Sequence, residues 1–210
     1  MSDDQKALTI RRIQDYRVSA ILRTDDAQTA KDAMNAAVDG GFRMIEFTLT
    51  TPGAIELIQE FSARQDLLVG AGTVLTVEQA RSATKAGAKF LVSPVFDPQI
   101  VAEARSLDAV SIPGAFTPTE MFAAHKSGAD FVKLFPSPGD VAQFVSAVLA
   151  PMPFLRIFPT AGVTADNFLA VLASGAAGVG FVKSLFDPAE LSAKNYSAIQ
   201  ARARRIIGML

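Results

Sequence analysis

The sequence "GADFVKLFP" (residues 128–136) begins with a glycine that ends a helix and continues as a short apolar strand. The same pattern recurs three times, in "GFRMIEFT" from Gly41, "GAKFLVSP" from Gly87 and "GAAGVGFV" from Gly175. A second series, in which glycine and threonine lead from a strand into a helix, comprises "GTVLT" from Gly72, "GAFTPT" from Gly114 and "GVT" from Gly162. Two interleaved series at roughly equal spacing predict a repeating unit and a single domain over residues 1–210.

Eight short runs are too continuously apolar for a sheet with one face in water, and Ala-rich segments of helical period separate them. The predicted strands are "VSAILR", "RMIEFTL", "LLVGAG", "KFLVSP", "AVSIPG", "DFVKLFP", "LRIFPTAG" and "GVGFV". Eight alternations of strand and helix in 210 residues predict an α/β fold, a small (β/α)8 TIM barrel. In this prediction residues 1–17 form an extra N-terminal helix that closes the barrel floor.

The composition argues against nucleic-acid binding, membrane insertion and metal sites built from Cys or His. The chain has 20 Lys and Arg and 21 Asp and Glu, mixed along its length, so it offers no basic surface for nucleic acid or an anionic membrane. The absence of Cys excludes disulfides and thiolate metal sites, and a single His argues against a histidine-based metal centre. No apolar run is long enough to span a membrane, and no apolar run follows the start "MSDDQKAL". We therefore expect a soluble, cytoplasmic protein.

Two opposite charges occupy equivalent positions of the repeat. The fifth residue after each glycine of the first series is Glu46, Val92, Lys133 or Gly180, on strands two, four, six and eight. Strands two and six face each other across an eight-stranded barrel. Glu46 and Lys133 are therefore predicted to lie on opposite walls.

Alternation along the strands indicates which way these two charges point. Their strand neighbours on the other face, Ile45, Phe47, Val132 and Leu134, are wholly apolar and suit the helix layer. By elimination Glu46 and Lys133 point into the lumen, toward the carboxyl ends of the strands, where barrels place their active sites.

A lysine in a dry lumen is a candidate nucleophile. Burial favours its neutral amine, which attacks ketones to form Schiff bases, although a nearby carboxylate opposes the shift. Phe131 and Phe135 would supply the dry walls, and Glu46 is placed to move protons on a substrate between the two groups. The alternative interpretation is a buried ion pair between Lys133 and Glu46 that only fills the lumen.

The chain near strands seven and eight reads "FPTAGVTADN" and "GAAGVGFVKSLF". Glycine-containing loops at these positions of a barrel often bind phosphate through backbone N–H groups. Gly162, Val163 and Ser184 are the candidate donors, and Lys183 is a possible extra charge. The alternative is that these glycines only make tight turns.

Several short motifs together resemble a known family, the class I 2-keto-3-deoxy-6-phosphogluconate (KDPG) and 4-hydroxy-2-oxoglutarate (KHG) aldolases, which include phosphogalactonate relatives. The motifs, in family order, are "GAGTV" (70–74), "SP" (93–94), "IPG" (112–114), "KLFP" (133–136) and "PTAG" (159–162). The resemblance covers the chain from about residue 18 to 190.

The resemblance implies a role for five residues. Lys133 is similar to the Schiff-base lysine and Glu46 to the proton-transferring glutamate, while Thr73 resembles the hydroxyl that holds the pyruvate carboxylate. Pro94 and Phe135 resemble pocket walls. The resemblance also implies a homotrimer, and an enzyme that needs no metal and uses neither nucleotide nor flavin.

The sequence departs from the family pattern at three places. Where some members have an arginine, "EFTLT" supplies Thr50, and Arg23 at the end of "AILR" could reach the same anion. Ala161 replaces a glycine in "PTAG". Members run from "GVG" almost directly into a serine, but here residues 181–183 (Phe-Val-Lys) intervene before Ser184. The last two changes put the requirement for a terminal phosphate in question.

The leading hypothesis is therefore a Schiff-base aldolase that cleaves a phosphorylated 2-keto acid, KDPG, to pyruvate and glyceraldehyde 3-phosphate. A second hypothesis keeps this chemistry but changes the substrate to KHG, 2-keto-3-deoxy-6-phosphogalactonate or another, unphosphorylated 2-keto acid. A third is a sugar-phosphate isomerase or epimerase in which Glu46 is the base and Lys133 only stabilises charge. A non-catalytic phosphate-binding barrel is the remaining alternative.

Overall fold

The computed structural model describes residues 2–210, with side chains from residue 5 onward. The strands are β1 (Val18–Leu22), β2 (Met44–Thr48), β3 (Leu68–Gly72), β4 (Phe90–Val92), β5 (Val110–Ile112, resumed as Gly114–Ala115), β6 (Val132–Leu134), β7 (Ile157–Pro159) and β8 (Val179–Phe181). The helices are α1 (Ser2–Tyr16), α2 (Ala27–Asp39), α3 (Ala54–Ser62), α4 (Val77–Lys85), α5 (Pro98–Ser106), α6 (Pro118–Lys126), α7 (Val141–Leu149), α8 (Phe168–Ala173), α9 (Pro188–Ser192) and α10 (Tyr196–Ile207). Within residues 2–210, none of these helices has the length and apolar character needed to cross a membrane.

The strands form a closed parallel barrel. Hydrogen bonds join them in the order β5-β4-β3-β2-β1-β8 in one sheet, and the second part of β5 continues to β6 and β7 in another. Pro113, which has no N–H to donate, interrupts β5, but its carbonyl accepts from the backbone N–H of Lys133 at 2.8 Å. The seam between β7 and β8 is bridged by Ala177 N–H, which donates to the carbonyl of Ile157 at 2.8 Å. The predicted (β/α)8 barrel is confirmed.

The core has two layers, as the strand alternation predicts. The outer layer, between the strands and helices, contains Ile45, Phe47, Val132 and Leu134. The lumen layer contains Met44, Leu68, Phe90, Val92, Val110, Ile112, Phe131 and Phe158. Large apolar side chains fill the lower lumen and exclude water from it. Glu46 and Lys133 lie directly above this layer.

Helix α1 seals the amino-terminal end of the barrel. Its Ile13 is fully buried within the lumen layer, and Ile10 and Tyr16 pack against the same cluster. An ion pair of 2.9 Å between Lys6 and Asp130 ties the helix to the segment that leads into β6. The predicted extra helix therefore serves as the floor.

The chain from Pro188 onward forms two helices. Helix α9 ends near Lys194, whose φ of 52° breaks the helical path, and the side chain of Asn195 caps α10 by accepting from the N–H of Ala198. Helix α10 packs against α2, which completes the helix layer between the first and last repeats.

Candidate active site

A cavity of about 610 Å³ opens at the carboxyl ends of the strands. Its lower wall comprises Ile21, Glu46, Thr48, Lys133, Phe135 and Thr160, and its rim includes Arg23, Asp25, the 161–164 loop, the 182–184 loop and residues of α9. The structure thus brings the predicted pair, Glu46 and Lys133, into one cavity at the end of the barrel where they were expected.

Glu46 lies on β2 and is only 2% exposed. Its Oε1 atom has no hydrogen-bond partner among the described residues. Burial raises the pKa of this carboxyl above its ordinary value, while the positive charges of Lys133 and Arg23 oppose the rise. The carboxyl therefore favours its protonated form more than an exposed glutamate does.

The carboxyl of Glu46 occupies space that a glycine leaves open. On the neighbouring strand β3, a Cβ at Gly72 would overlap Oε1 of Glu46 and approach its Cδ to 2.8 Å. The φ of Gly72 is not in the left-handed region, so the backbone does not require a glycine here. The position requires a glycine because a side chain would overlap Glu46. Gly72 thus makes room for the inward position of the carboxyl.

Lys133 lies on β6 and is 8% exposed. Burial lowers the pKa of its ammonium group, the carboxyl of Glu46 acts in the opposite direction, and Arg23 adds to the lowering. The Nζ atom lies 4.9 Å from the ring centroid of Phe135. When the amine is protonated, a cation–π contact with this ring offsets part of the cost of burying the charge. Among the ion pairs of residues 5–210, none joins Lys133 directly to Glu46.

Arg23 and Thr73 meet at the rim. The Nη2 of Arg23 donates to Oγ1 of Thr73 at 3.2 Å, and Arg23 itself lines the cavity. Thr73 has a φ of 58°, an unusual conformation for a β-branched residue, which turns the chain after β3. Thr73 is not among the cavity-lining residues that the structure describes, so its connection to the cavity is through Arg23.

Two predicted substrate-binding residues, Thr50 and Pro94, do not line the cavity. Thr50 is exposed on the turn after β2, where its hydroxyl is 3.1 Å from that of Thr48, which does line the cavity. Pro94 follows β4, and its carbonyl lies where a Cβ on Gly114 would be. Among the residues described, neither Thr50 nor Pro94 contributes to the cavity wall.

The predicted phosphate residues lie together at the rim. Gly162, with φ 78°, Val163 and Ser184 all line the cavity, as does Phe135 on the lower wall. The hydroxyl of Ser184 donates to the carbonyl of Val163 at 2.6 Å and so joins the loops after β7 and β8. Ala161 does not adopt a left-handed φ, so its methyl group is compatible with the backbone of this loop.

Thr160 is a further cavity residue, beyond those predicted from the sequence. It is 2% exposed, and its Oγ1 has no partner among the described residues. The alternation of β7 places Phe158 and Thr160 on the lumen face, so the motif "PTAG" contained the signal. A buried hydroxyl without a partner on a cavity wall is available to a ligand.

No group of three or more His, Asp and Glu residues suited to holding a metal ion occurs in the part of the chain that the structure describes. The polar side chains on the cavity walls include Lys133, Glu46, Arg23 and Thr160. This set can form an imine, move protons and bind an anion.

Comparisons with known proteins agree with this chemistry. The family model described as KDPG and KHG aldolase matches residues 9–202. A probable 2-dehydro-3-deoxy-6-phosphogalactonate aldolase of Rhizobium meliloti is 34% identical over 172 residues, 80% of this chain and 81% of the relative. A 2-dehydro-3-deoxy-phosphogluconate aldolase of Treponema pallidum is 38% identical over 154 residues, 72% of this chain and 73% of the relative.

Solved structures give the same result. The 2-keto-3-deoxy-6-phosphogluconate aldolase of Zymomonas mobilis superimposes with a TM-score of 0.82 at 27% identity, covering 96% of this chain and 97% of that one. The chain belongs to the KDPG and KHG aldolase family. It is therefore an aldolase, a carbon–carbon lyase.

Glu46→Gln is expected to stabilise the protein at neutral pH. Because the pKa of Glu46 is raised in the fold, ionisation as the pH rises reduces the stability of the wild type, whereas glutamine does not ionise. We expect a gain in the free energy of unfolding on the order of 1 kcal/mol at pH 7. The gain shrinks at acidic pH, where the carboxyl is protonated in both states.

Urea unfolding of both proteins across a pH series measures this difference. Glu56→Gln, which removes one negative charge from an exposed position of α3, is the matched control and should not reproduce the gain. A Glu46→Gln protein that is less stable than wild type at pH 7 would contradict the predicted strain of the buried carboxylate.

Proposed function

We propose that this aldolase acts through a Schiff base on Lys133, with Glu46 as the proton-transfer group, and cleaves KDPG to pyruvate and glyceraldehyde 3-phosphate. One observation carries the proposal: a lysine whose neutral form is favoured shares a cavity with a carboxyl whose protonated form is favoured. The named relatives are aldolases of phosphorylated 2-keto-3-deoxy sugar acids, which supports this substrate class.

The reaction begins at the ketone. The neutral amine of Lys133 attacks C2, and the protonated carboxyl of Glu46 gives its proton to the departing hydroxyl, which leaves as water. A protonated imine and an ionised Glu46 remain, and the imine draws electrons from the C3–C4 bond. Glu46 accepts the proton of the C4 hydroxyl, the C3–C4 bond breaks, and glyceraldehyde 3-phosphate leaves. The remaining enamine is protonated at C3, and water hydrolyses the imine to release pyruvate and free Lys133.

The cavity wall supports each charge that forms. The Phe135 ring, 4.9 Å from Nζ, stabilises the cationic imine through its π face. Arg23, held by its hydrogen bond to Thr73, binds the substrate carboxylate in place of the arginine that Thr50 replaces. The free hydroxyl of Thr160 is available to the substrate's oxygen atoms. These contacts align the ketone with Lys133.

The alternative within the family is KHG, 2-keto-3-deoxy-6-phosphogalactonate or another, unphosphorylated 2-keto acid. The bond from the Ser184 hydroxyl to Val163 favours the unphosphorylated substrates in this set, because that hydroxyl donates to the carbonyl and not to a phosphate. The lower wall around Lys133 and Glu46 does not depend on the substrate tail. The cleavage chemistry is therefore the same for each of these substrates.

Because a phosphorylated sugar acid carries charges that oppose its passage through lipid, we place this reaction in the cytoplasm. In the cytoplasm the enzyme would meet the phosphorylated sugar acids that the membrane retains there.

Borohydride with pyruvate is expected to trap a covalent adduct on Lys133. The trapping rate should rise with pH and level off at a pH below the ordinary pKa of a lysine, because burial lowers the pKa of this ammonium group. Arg23→Met should shift the midpoint upward, since Arg23 contributes to the lowering. Peptide mass mapping identifies the labelled residue.

Lys133→Met is the negative control and should remain unlabelled. Turnover without any trapped adduct would remove the imine step and favour the isomerase or epimerase interpretation.

Gly72→Ala is expected to slow cleavage while pyruvate is still trapped. The added methyl group overlaps Oε1 of Glu46, so the carboxyl must move, and kcat should fall by about tenfold to a hundredfold. Gly139→Ala is a matched control because a Cβ at Gly139 meets no atom within 4 Å. Steady-state pyruvate release measures kcat, and equal rates for the two variants would contradict the assigned role of Glu46.

We further propose that the chain forms a homotrimer through an apolar rim. Leu75, Val95 and Phe116 follow the neighbouring strands β3, β4 and β5, and they are 48%, 52% and 42% exposed. Large apolar side chains left exposed in a contiguous row are typical of a surface that another molecule covers. The resemblance to trimeric enzymes supports a second and third copy of this chain as the occupants.

Light scattering after size-exclusion chromatography should give three times the mass of one chain. Val95→Asp should reduce the mass to that of a monomer or a dimer, whereas Leu169→Asp, at an exposed position of α8, should not. An unchanged mass for Val95→Asp would show that this rim is not the interface.

A further inference from the structure

We propose that Thr51 is a positioning residue: its buried hydroxyl holds the turn after β1 in the place from which Arg23 binds the carboxylate of the 2-keto acid. This inference rests on the proposed function, which assigns that carboxylate to Arg23, and it identifies the group that fixes Arg23. Thr51 is not among the described residues that line the cavity, so it acts through the backbone that carries Arg23.

Arg23 lies where the barrel gives its backbone little support. Strand β1 ends one residue earlier, at Leu22, and residues 23–26 belong to no helix or strand. Arg23 is exposed, and among the described residues its side chain makes one hydrogen bond, to Thr73. A long side chain loses rotamer freedom when it binds an anion. The affinity of Arg23 for a carboxylate therefore depends on how well the turn beneath it is fixed.

One hydrogen bond joins the backbone of this turn to another element. The N–H of Thr24 donates to Oγ1 of Thr51 at 3.3 Å. Among the hydrogen bonds of the described residues, no other links the backbone of residues 23–25 to a neighbouring element. Because this N–H belongs to the peptide group between Arg23 and Thr24, the bond fixes the backbone directly beside Arg23.

Thr51 is itself held at the end of β2. It is 3% exposed, and its N–H donates to the carbonyl of Thr48 at 2.9 Å. Its carbonyl accepts from the N–H of Ala54, the first residue of α3, at 3.2 Å. These two bonds fix Thr51 between β2 and α3, so its hydroxyl is a fixed acceptor for the turn after β1.

The hydroxyl of Thr51 also contacts the strand that carries Glu46. Its oxygen lies 3.3 Å from Oγ1 of Thr48, which lines the cavity two residues beyond Glu46 on the same face of β2. A hydroxyl donates one proton and accepts through two lone pairs, so Thr51 can accept from Thr24 and donate to Thr48 at once. The position of Arg23 is thus set relative to the strand of the proton-transfer group.

Removal of this hydroxyl should loosen Arg23 while the shape of the site stays nearly the same. Valine resembles threonine in shape but accepts no hydrogen bond, so Thr51→Val leaves the N–H of Thr24 without its acceptor. An arginine that binds the carboxylate throughout the reaction contributes to KM rather than to kcat. We expect Thr51→Val to raise KM for KDPG about fivefold to tenfold and to leave kcat within about threefold of wild type.

Borohydride trapping measures the same effect at the keto-acid end of the substrate alone, because pyruvate has no tail. Thr51→Val should raise the pyruvate concentration that gives half of the maximal trapping rate about fivefold to tenfold. Thr51→Ser keeps the hydroxyl and should restore the wild-type value. Thr84→Val is the matched control, since it removes a hydroxyl of α4 that has no partner among the described residues, and it should leave the value unchanged.

A comparison in the absence of Arg23 shows whether Thr51 acts through it. Arg23→Met should itself raise the half-saturating pyruvate concentration. Addition of Thr51→Val to Arg23→Met should then change the value by less than about twofold, because the side chain that Thr51 positions is gone. If Thr51 only stabilised the fold, the two factors would multiply. Multiplied factors, or an unchanged value for Thr51→Val alone, would overturn the proposal.

A second pair of variants keeps the test decisive if valine at position 51 prevents folding. Thr51→Ala and Thr51→Ser differ only by the hydroxyl oxygen, so the alanine variant should need about fivefold more pyruvate than the serine variant for half of the maximal rate. Equal concentrations for the two variants would contradict the role of Thr51.

The outcome for wild type and for Arg23→Met distinguishes this inference from the proposed function. If wild type is not trapped with pyruvate, the Schiff-base mechanism itself fails. If wild type is trapped but Arg23→Met leaves the half-saturating concentration unchanged, the carboxylate role of Arg23 fails and this inference fails with it. If Arg23→Met raises the concentration and Thr51→Val does not, only the assignment of Thr51 fails.

Discussion

The removal of water from around two ionisable side chains is the constraint on which the rest of this structure depends. Glu46 and Lys133 are both buried, and burial shifts each of them toward its uncharged form. Neither group would behave in this way on an exposed surface. The barrel therefore has to provide a lumen that is closed, apolar below the pair and open only above it, and its strand pattern meets each of these requirements.

Side chains along each strand alternate between the lumen and the helix layer, and this alternation decides which residues face the cavity. On β2 and β6 the outward positions pack under the helices, and the inward positions carry Met44 and Phe131 below the pair of charges. A shift of either strand by one residue would turn its charge toward the helices. The packing of the outer layer therefore determines where the reactive groups point.

The sequence predicted this part well because it depends on local alternation and on an internal repeat. The inward direction of Glu46 and Lys133 follows from alternation within a few residues, and the barrel with its extra helix follows from the succession of strands and helices along the chain. The rim was harder to predict, because contacts between loops decide it. No spacing reveals that Ser184 bonds to Val163, that Arg23 meets Thr73, or that Thr50 lies outside the cavity. The unpartnered hydroxyl of Thr160 likewise appears only when its neighbours are known.

The floor helix has a consequence for how this enzyme is built and modified. Ile13 closes the amino-terminal mouth of the lumen, although it belongs to a segment that precedes every strand and carries no reactive group. A chain shortened to begin at β1 would keep Glu46 and Lys133 but would expose the apolar base of the lumen, which includes Met44 and Phe131, to solvent. The burial that shifts both groups toward their uncharged forms therefore rests on a layer that this helix covers from below.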